Sequence, residues 1–298
     1  MNTLQDEDLP GYFRAADTAS IQSQKSTLRL NRLRLLGALS AAIFAAFSFS
    51  LGRWEIFALF SLVGFLMAFI AELLLITGSY EKDWYQARAG AESVKTLSWR
   101  YSVGADPFFT HLPEKESDFL FKSRVSDVSR AIAKNALPLV EDGSSPTETM
   151  KQIRASSLIE RRNIYLKYRN NKQFNWYKDK ANNNKKASVR WRGILIGAEV
   201  IAIALAAARA FGGWDIDFAG ILSAIIGAGA AWLALKQHTS LSAAYALTAV
   251  ELEKQRHALE IIESEEGWSR SVADAEEAIS REHTMWLASR GEVNEITG

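Results

Sequence analysis

The stretch that decides the fold lies at residues 56–76 and reads IFALFSLVGFLMAFIAELLLI. Its only charged residue is Glu72. A helix needs roughly 17 to 25 mostly apolar residues to cross the hydrocarbon core of a bilayer, and this run falls inside that range. The sequence therefore predicts a transmembrane helix at these positions.

Three further apolar runs stand out from a chain whose other segments are highly charged. Residues 35–51 and 218–235 are uncharged and short for a crossing, whereas residues 193–211 contain Glu199 and, near the end, Arg209. A soluble core helix usually carries one polar stripe, and the two uncharged runs have none. We therefore predict an all-α integral membrane protein with four transmembrane helices in two hairpins, rather than a soluble bundle with buried core helices.

The averages over the chain conceal this pattern. The 298 residues are 48% hydrophobic and 23% charged, which is typical of a soluble globular protein. The net charge of +1 gives no global argument for nucleic-acid binding, so no nucleic-acid partner is expected. There is no cysteine, which excludes disulfides, thiolate metal sites and a cysteine nucleophile. The first residues are acidic, so the first apolar run is predicted to be a retained anchor, not a signal peptide.

Basic residues flanking the four runs predict which ends face the cytoplasm, because short loops rich in lysine and arginine stay on that side. They precede the first and third runs and follow the second and fourth: Lys25, Arg29, Arg32, Arg34, Lys82, Arg88, Lys95, Lys185, Lys186, Arg190, Arg192 and Lys236. Both termini and the central region, with its long juxtamembrane helices, are therefore predicted to be cytoplasmic. Only the short loops around Trp54 and Trp214 are predicted to lie outside.

The spacing of the runs indicates an internal duplication. Corresponding runs of the two hairpins are offset by about 160 residues, which suggests two copies of one unit in parallel orientation. The clearest linker contains Pro138 and the turn-forming sequence DGSSP at 142–146. We therefore predict a first hairpin unit at 1–137 with helices at about 35–51 and 56–76, a linker at 138–148, and a second hairpin unit at 149–298 with helices at about 193–211 and 218–235.

The second unit is predicted to have a basic entry helix and an acidic exit helix. Residues 151–192 hold thirteen basic residues against Glu160 and Asp179, and residues 250–298 hold twelve acidic residues against five basic ones. The basic stretch is compatible with nucleotide binding. The interpretation we favour is a juxtamembrane helix that contacts anionic lipid and pairs with the acidic helix.

Glu72 and Glu199 are the candidate pore or gate residues. Both lie within roughly 10 Å of the predicted inner boundary, at about 1.5 Å per helical residue. An ionisable group in a membrane helix is costly and tends to face a bundle interior or a wet cavity. One hypothesis is that the two carboxyls line a cation path or form a proton-sensitive gate. The alternative is that each carboxyl reaches the interface or is protonated.

Small residues predict close helix packing in the first hairpin. Gly37, Ala41 and Ala45 recur every four positions in the first apolar run. Such a face lets two helices approach closely within lipid. It serves the hairpin, an oligomer, or both.

No enzyme motif was found. The four histidines, His111, His238, His257 and His283, form no recognisable metal-ligand spacing. There is no phosphate-binding loop, dinucleotide fingerprint or nucleophile motif. We therefore expect no catalytic residue, no cofactor, no metal and no enzyme activity.

Three motifs carry a resemblance to a known family. The first is AESVKTLSWRY at 91–101 followed by Asp106, Pro107 and Phe108. The second is Tyr165, Arg169 and Gln173 followed by WYKDKA at 176–181, and the third is DAEEAISREHTMW at 274–286. Together they resemble the SLATT family, the SMODS- and SLOG-associating two-transmembrane effector domains that are also labelled DUF4231, here in a tandem two-unit form. The resemblance marks as structural or interaction positions Glu92, Lys95, Trp99, Arg100, Tyr101, Pro107, Phe108, Arg169, Trp176, Tyr177, Lys180, Glu276, Ser280, Arg281, Glu282, His283 and Trp286.

The resemblance implies a bacterial conflict-system effector in the inner (cytoplasmic) membrane, of the kind that acts against phage. In that scheme a partner protein makes or senses a nucleotide second messenger, and a homo-oligomer of the membrane protein then forms a pore or otherwise perturbs the bilayer. Two other functions stay open: a non-toxic small-ion channel or membrane sensor, and a membrane scaffold that recruits a soluble partner. For the motif residues themselves, packing is the expected role.

Overall fold

The computed structural model describes residues 3–132, 143–212 and 216–288, with side chains through residue 130 in the first range and residue 280 in the last. Almost all of this part of the chain is helical, which confirms the all-α prediction. The helices are α1 (Gly11–Ala45), α2 (Ile56–Thr77), α3 (Tyr80–Val103), α4 (Glu114–Ile132), α5 (Glu148–Arg154), α6 (Leu158–Tyr165), α7 (Asn171–Gly212), α8 (Phe218–Lys236), α9 (His238–Ile261) and α10 (Glu265–Ala288). A turn of π-helix at Leu166–Asn170 joins α6 to α7.

The loop between α1 and α2 departs from the prediction of a helix through residue 51. Helix α1 ends at Ala45, and two short antiparallel strands follow, β1 (Ser50–Leu51) and β2 (Trp54–Glu55). The reason is local: Gly52 adopts a left-handed turn with φ of 63°. The Glu55 carboxylate then accepts hydrogen bonds from the Phe49 amide at 2.6 Å and the Ser50 hydroxyl at 2.7 Å.

The described residues contain three helical segments long and apolar enough to cross a membrane: Ile56–Thr77, Leu158–Gly212 and Phe218–Ile261. Helix α1 is not among them. Its uncharged part inside the helix runs only from residue 35 to residue 45, which corresponds to roughly 16 Å. The structure therefore supports three candidate membrane spans where the sequence predicted four.

The chain packs into two compact units. Unit 1 takes residues 1–23, 81–181 and 243–298, and unit 2 takes residues 24–80 and 182–242. Each unit draws on both halves of the chain. These units are defined by packing in space, whereas the predicted boundary at 138–148 follows the repeat along the sequence. The two divisions therefore describe different properties of the chain.

Unit 2 contains the apolar hairpins. In the first, α1 and α2 meet backbone to backbone: a Cβ on Gly37 would lie 2.8 Å from the Gly64 carbonyl oxygen. The Ser61 hydroxyl donates to the Ala41 carbonyl at 2.9 Å across the same contact. In the second, the Asp217 carboxylate caps α8 by accepting from the Gly220 amide at 3.0 Å. The predicted outer-loop residue Trp214 lies outside the described residues.

Unit 1 is built around a core of aromatic and aliphatic side chains. Its fully buried large members include Trp268, Tyr101, Tyr165, Phe108 and Phe121. The part of the predicted linker that is described packs here as well, because the Tyr12 amide donates to the Gly143 carbonyl at 3.1 Å and the Thr147 hydroxyl donates to the Asp8 carbonyl at 2.7 Å. Each of the three sequence motifs contributes to this core, through Trp99, Tyr165 and Ala275.

Candidate functional site

A buried ion pair joins the second and third motifs inside unit 1. The Arg169 guanidinium, near the start of α7, donates from Nε to Oε1 of Glu276 at 2.9 Å and from Nη2 to Oε2 at 2.7 Å. The Tyr165 hydroxyl donates to the same Oε1 at 2.9 Å. The side chains of Arg169 and Glu276 are 1% and 0% exposed. Both residues were predicted as motif positions, and only the fold shows that they pair.

The electrostatics of this cluster follow from its burial. Burial alone would lower the pKa of Arg169, but the charge of Glu276 and the hydrogen bonds to it outweigh that effect and raise the pKa. Burial raises the pKa of Tyr165 well above its ordinary value, and the nearby Glu276 carboxylate adds to the rise. The guanidinium therefore stays charged and the phenol stays neutral at any physiological pH. Trp99 and Trp268 pack edge-on against the Tyr165 ring, with centroids 5.9 and 5.8 Å away.

A cleft of about 280 Å³ opens beside this pair, and Arg169 is part of its wall. Six of the predicted motif residues line it: Glu92, Lys95, Trp99, Arg169, Trp176 and Tyr177. They come from α3, the π-helical turn and α7, so the structure brings the first two motifs to one site. Nη1 of Arg169 is buried and, within the described part of the chain, has no hydrogen-bond partner.

The rest of the cleft comes from residues that sequence reasoning did not single out as site residues. They are Asp6, Phe13, Asp17, Arg88, Tyr168 and Lys172, among others. A signal for two of them was present in the sequence. Arg88 lies one helical turn before Glu92, and Lys172 lies one turn after Arg169, so each shares a face with a motif residue. Nothing in the sequence indicated that the segment before α1 would form a wall.

Charge pairing within the cleft is uneven. Lys95 binds the Asp6 carboxylate at 2.7 Å and lies over the Phe13 ring, 5.3 Å from its centroid. Arg88 and Lys172 form no ion pair with the described residues within 4.0 Å. Burial raises the pKa of the Asp17 carboxyl and the negative charge of Asp6 adds to the rise, whereas Lys95 and Arg88 oppose it.

The aromatic residues of the second motif form a small ring cluster at the cleft. The Trp176 and Tyr177 rings meet edge to face with centroids 5.0 Å apart, and both contact Tyr245 of α9. Lys180 lies over the Trp176 ring at 5.4 Å. Trp176 keeps 36% of its surface exposed. The cluster therefore presents part of an indole face to the surroundings.

The remaining residues of the first motif pack at the junction between α3 and α4 and do not line the cleft. Arg100 donates to the Asp106 carbonyl at 2.5 Å, and the Tyr101 hydroxyl donates to Asp118 at 2.5 Å. Pro107 follows Asp106 in a cis peptide bond, and Phe108 packs edge-on against Tyr101 with centroids 5.7 Å apart. These are packing and hydrogen-bonding contacts within unit 1.

Arg154 of α5 was missed by sequence reasoning and holds the same junction together. Its guanidinium donates to the carbonyls of Tyr101, Phe108 and Phe109 and to the Ser117 hydroxyl, at 2.7 to 3.2 Å. A basic residue in a strongly basic segment carries no local sign of such a role. The contacts are with residues far away in the sequence.

The end of the third motif is only partly described. Ser280 is half-buried in α10. Arg281, Glu282, His283 and Trp286 belong to the same helix, but their side chains lie outside the described residues.

The two candidate pore residues sit in unit 2 in different surroundings. Glu72 of α2 binds Arg34 of α1 at 2.7 Å, with both side chains about two-fifths exposed. Glu199 is exposed on α7 and forms no ion pair within the part of the chain that the structure describes. The structure therefore pairs one glutamate with a basic flanking residue and leaves the other on an apolar helix surface.

Two family models match the chain, and their matched residues include all three motifs. The family model of the SMODS and SLOG-associating 2TM effector domain 3 matches residues 10–162, and that of the SMODS and SLOG-associating 2TM effector domain 1 matches residues 165–286. No curated protein and no solved structure matched the chain. The two matches meet between residues 162 and 165, at the end of α6. The resemblance stated from the motifs is thus confirmed, and the chain belongs to the SLATT family of two-transmembrane effector domains, two of which it carries in tandem.

Proposed function

We propose that the protein is an oligomeric effector that permeabilises the bacterial inner membrane when a nucleotide-based conflict system, of the kind that acts against phage, is activated. The partner in this proposal is a protein that makes or senses the nucleotide. The activity needs no catalytic residue. Membership in the effector-domain family supports the general role, and the pore is our inference.

The observation that carries the proposal is the exposure of the apolar helices of unit 2. The most apolar window of α2 is 17% buried, and those of the segments Leu158–Gly212 and Phe218–Ile261 are 0% buried. Large side chains such as Phe65, Phe69 and Ile203 are more than half exposed. Soluble monomers rarely expose apolar patches of this extent. The surface of unit 2 is suited to lipid and to further copies of the chain.

A fourth crossing by α1 is part of the proposal. The helix packs directly on α2 through Gly37, and Arg34 neutralises Glu72 where the positive-inside rule puts the cytoplasmic boundary. The uncharged residues that follow Ala45 extend its apolar length. With this crossing, both termini lie in the cytoplasm.

Glu199 supports an assembly of several chains. A carboxylate exposed on a membrane-spanning helix is costly in lipid and is usually directed to a bundle interior or a water-filled path. Oligomerisation around α7 would supply such a path. Glu72 is already paired, so we assign the main role in conduction to Glu199.

The test is leakage from liposomes that contain the purified full-length protein and an entrapped fluorescent dye. Glu199→Gln is expected to change the leak rate. Glu253→Gln, which alters an exposed carboxylate on α9 beyond the apolar run at 218–235, is the control and should leave it unchanged. A protein that oligomerises and never leaks, with or without the partner and its nucleotide, would overturn the proposal. In that case a scaffold that recruits a soluble partner becomes the better account.

The size of the solute that crosses the membrane distinguishes a small-ion channel or sensor from a toxic pore. Selective passage of small ions without dye release, together with normal growth on overexpression, indicates a channel. Dye release together with depolarisation of cells indicates an effector pore.

A further inference from the structure

The cleft in unit 1 contains a positioned donor with unmet hydrogen-bonding capacity. The Glu276 carboxylate accepts hydrogen bonds from two nitrogens of the Arg169 guanidinium and from the Tyr165 hydroxyl. These bonds fix the orientation of the guanidinium plane. Nη1 has no partner among the described residues, although the side chain is 99% buried and the residue lines the cleft. Buried donors without a protein partner are rare, and water or a bound ligand supplies the acceptor for such a group.

Two further cationic side chains line the same cleft as Arg169. Arg88 and Lys172 line it from α3 and α7 and have no ion-pair partner within the described part of the chain. Lys95 differs because Asp6 already neutralises it. An oriented guanidinium with neighbouring unpaired cations is the donor arrangement that suits phosphate oxygens.

The remaining wall determines which class of phosphate compound fits. Trp176 offers a partly exposed indole ring, and Asp17 adds a carboxylate acceptor. A simple inorganic anion would use the cations alone and would be repelled by the carboxylate. A nucleotide has a partner for each group: phosphate for the cations, a base for the ring, and sugar hydroxyls or base N–H groups for the carboxylate.

The size of the cleft agrees with a small ligand. Ligand sites in proteins usually have volumes of about 300 to 1,000 Å³. The cleft, at about 280 Å³, lies just below that range. It is suited to one nucleotide unit rather than to a long chain.

We propose that this cleft is a nucleotide-binding site, in which Arg169, Arg88 and Lys172 bind the phosphate and Trp176 stacks on the base. The proposal goes beyond the membrane activity, because it assigns a ligand to unit 1 of this chain itself. It is tested by binding alone, so its failure is distinct from failure of the pore. Adenosine monophosphate and guanosine monophosphate serve as probes.

The experiment is calorimetric titration of the full-length protein in detergent. The probes are the two nucleotides, inorganic phosphate, and phosphatidylglycerol vesicles, the last as a source of lipid phosphate. Arg88→Gln and Lys172→Gln are each expected to raise the Kd for the nucleotide about tenfold, since each removes one charge-assisted contact. Lys178→Gln is the matched control, because Lys178 is an exposed lysine on the same helix outside the cleft lining.

The expected result is nucleotide binding that depends on Arg88 and Lys172, is insensitive to Lys178, and quenches tryptophan fluorescence less in Trp176→Leu. Thermal unfolding of each variant establishes that it remains folded. Binding of inorganic phosphate as tightly as of nucleotide would overturn the proposal, as would binding of the lipid vesicles alone. An equal loss in Lys178→Gln, or no binding of either nucleotide, would overturn it as well.

Discussion

Arg169 and Glu276 are 107 positions apart in the chain and form a two-point ion pair inside unit 1. Removing one partner from such a pair leaves an uncompensated charge away from water, which costs more than the intact pair contributes. The pair also links the second motif to the third. We infer that its main role is to determine how α7 and α10 pack beside the cleft.

Glu276→Gln is expected to lower the free energy of unfolding by about 3 to 5 kcal/mol, because it leaves the buried Arg169 charge without a counter-ion. Chemical denaturation in detergent measures this loss. Glu266→Gln is the control: Glu266 and Arg270 form an exposed pair on the same helix, worth at most about 1 kcal/mol. Similar losses in both variants would show that the buried pair has no special importance.

Asp17 provides a prediction about pH. Its pKa in the folded protein is raised above the ordinary 3.8 by burial and by Asp6, with opposition from Lys95 and Arg88 and a further raising effect from Glu92. A raised carboxyl pKa means that the folded state binds the proton more tightly than the unfolded state. Stability from this group is therefore full below pH 3.8 and is lost as pH rises through the higher, folded-state pKa.

Asp17→Asn is accordingly expected to be more stable than the native protein at pH 7, with the difference shrinking as pH falls toward 4. Thermal unfolding across this pH range gives the measurement. The effect should be small, because the carboxyl is only partly buried and solvent screens its interactions. A variant that is less stable than the native protein at pH 7 would contradict the assignment.

At the scale of elements, the contact between α1 and α2 depends on two glycines. A Cβ on Gly64 would lie 2.8 Å from the Ala41 amide and from the Gly37 carbonyl oxygen, and a Cβ on Gly37 would meet the backbone of α2 equally closely. Real Cβ atoms do not approach backbone atoms at such distances, so the helices would have to separate. The small-residue face predicted from the sequence is therefore used within the hairpin.

Gly37→Ala and Gly64→Ala are each expected to destabilise the first hairpin by about 1 to 3 kcal/mol, the usual cost of overpacking. Thermal unfolding in detergent reports the loss. Gly197→Ala on α7 is the control: nothing lies within 4 Å of a Cβ at that position, so helix propensity should leave stability equal or slightly higher. If all three variants behaved alike, the close α1–α2 contact would be refuted.

At the scale of the whole molecule, two descriptions of the chain coexist. Along the sequence there are two family domains in tandem, matched at 10–162 and 165–286. In space there are two compact units, and each takes segments from both halves. Neither tandem domain therefore packs as a separate body, and we expect that expressing residues 1–162 alone would expose much of the unit 1 core.

The number of crossings can be tested because the native chain has no cysteine. Arg53→Cys and Ile216→Cys, in the two hairpin loops, should react with a membrane-impermeant maleimide added outside spheroplasts. Lys122→Cys, exposed on α4, should react only after lysis. A Thr18→Cys variant, exposed near the start of α1, tests the fourth crossing: if it reacts on the same side as Arg53→Cys, α1 does not cross and the chain has three spans.

Much of the fold could be predicted from the sequence, and less of the candidate site. The helix from Ile56 to Thr77 is signalled by apolar length alone, because a backbone in lipid must satisfy its hydrogen bonds internally. The early end of α1 could not be predicted in the same way, since Glu55 caps the strand turn from the far side of the loop. The motifs supplied Glu92, Lys95, Trp99, Arg169, Trp176 and Tyr177 of the cleft. Asp6, Phe13 and Asp17 reach it through tertiary packing.

The sequence by itself determined that the protein is helical, that it carries long apolar spans flanked by basic residues, and that it belongs to the SLATT family. These properties depend on local composition and spacing, which the order of residues contains directly. Only the tertiary structure decided that Arg169 pairs with Glu276, that Arg34 neutralises Glu72, and that a cleft forms between α3 and α7. The physical reason is that each of these features requires side chains from distant segments to meet at hydrogen-bonding distance, which depends on packing rather than on any local pattern.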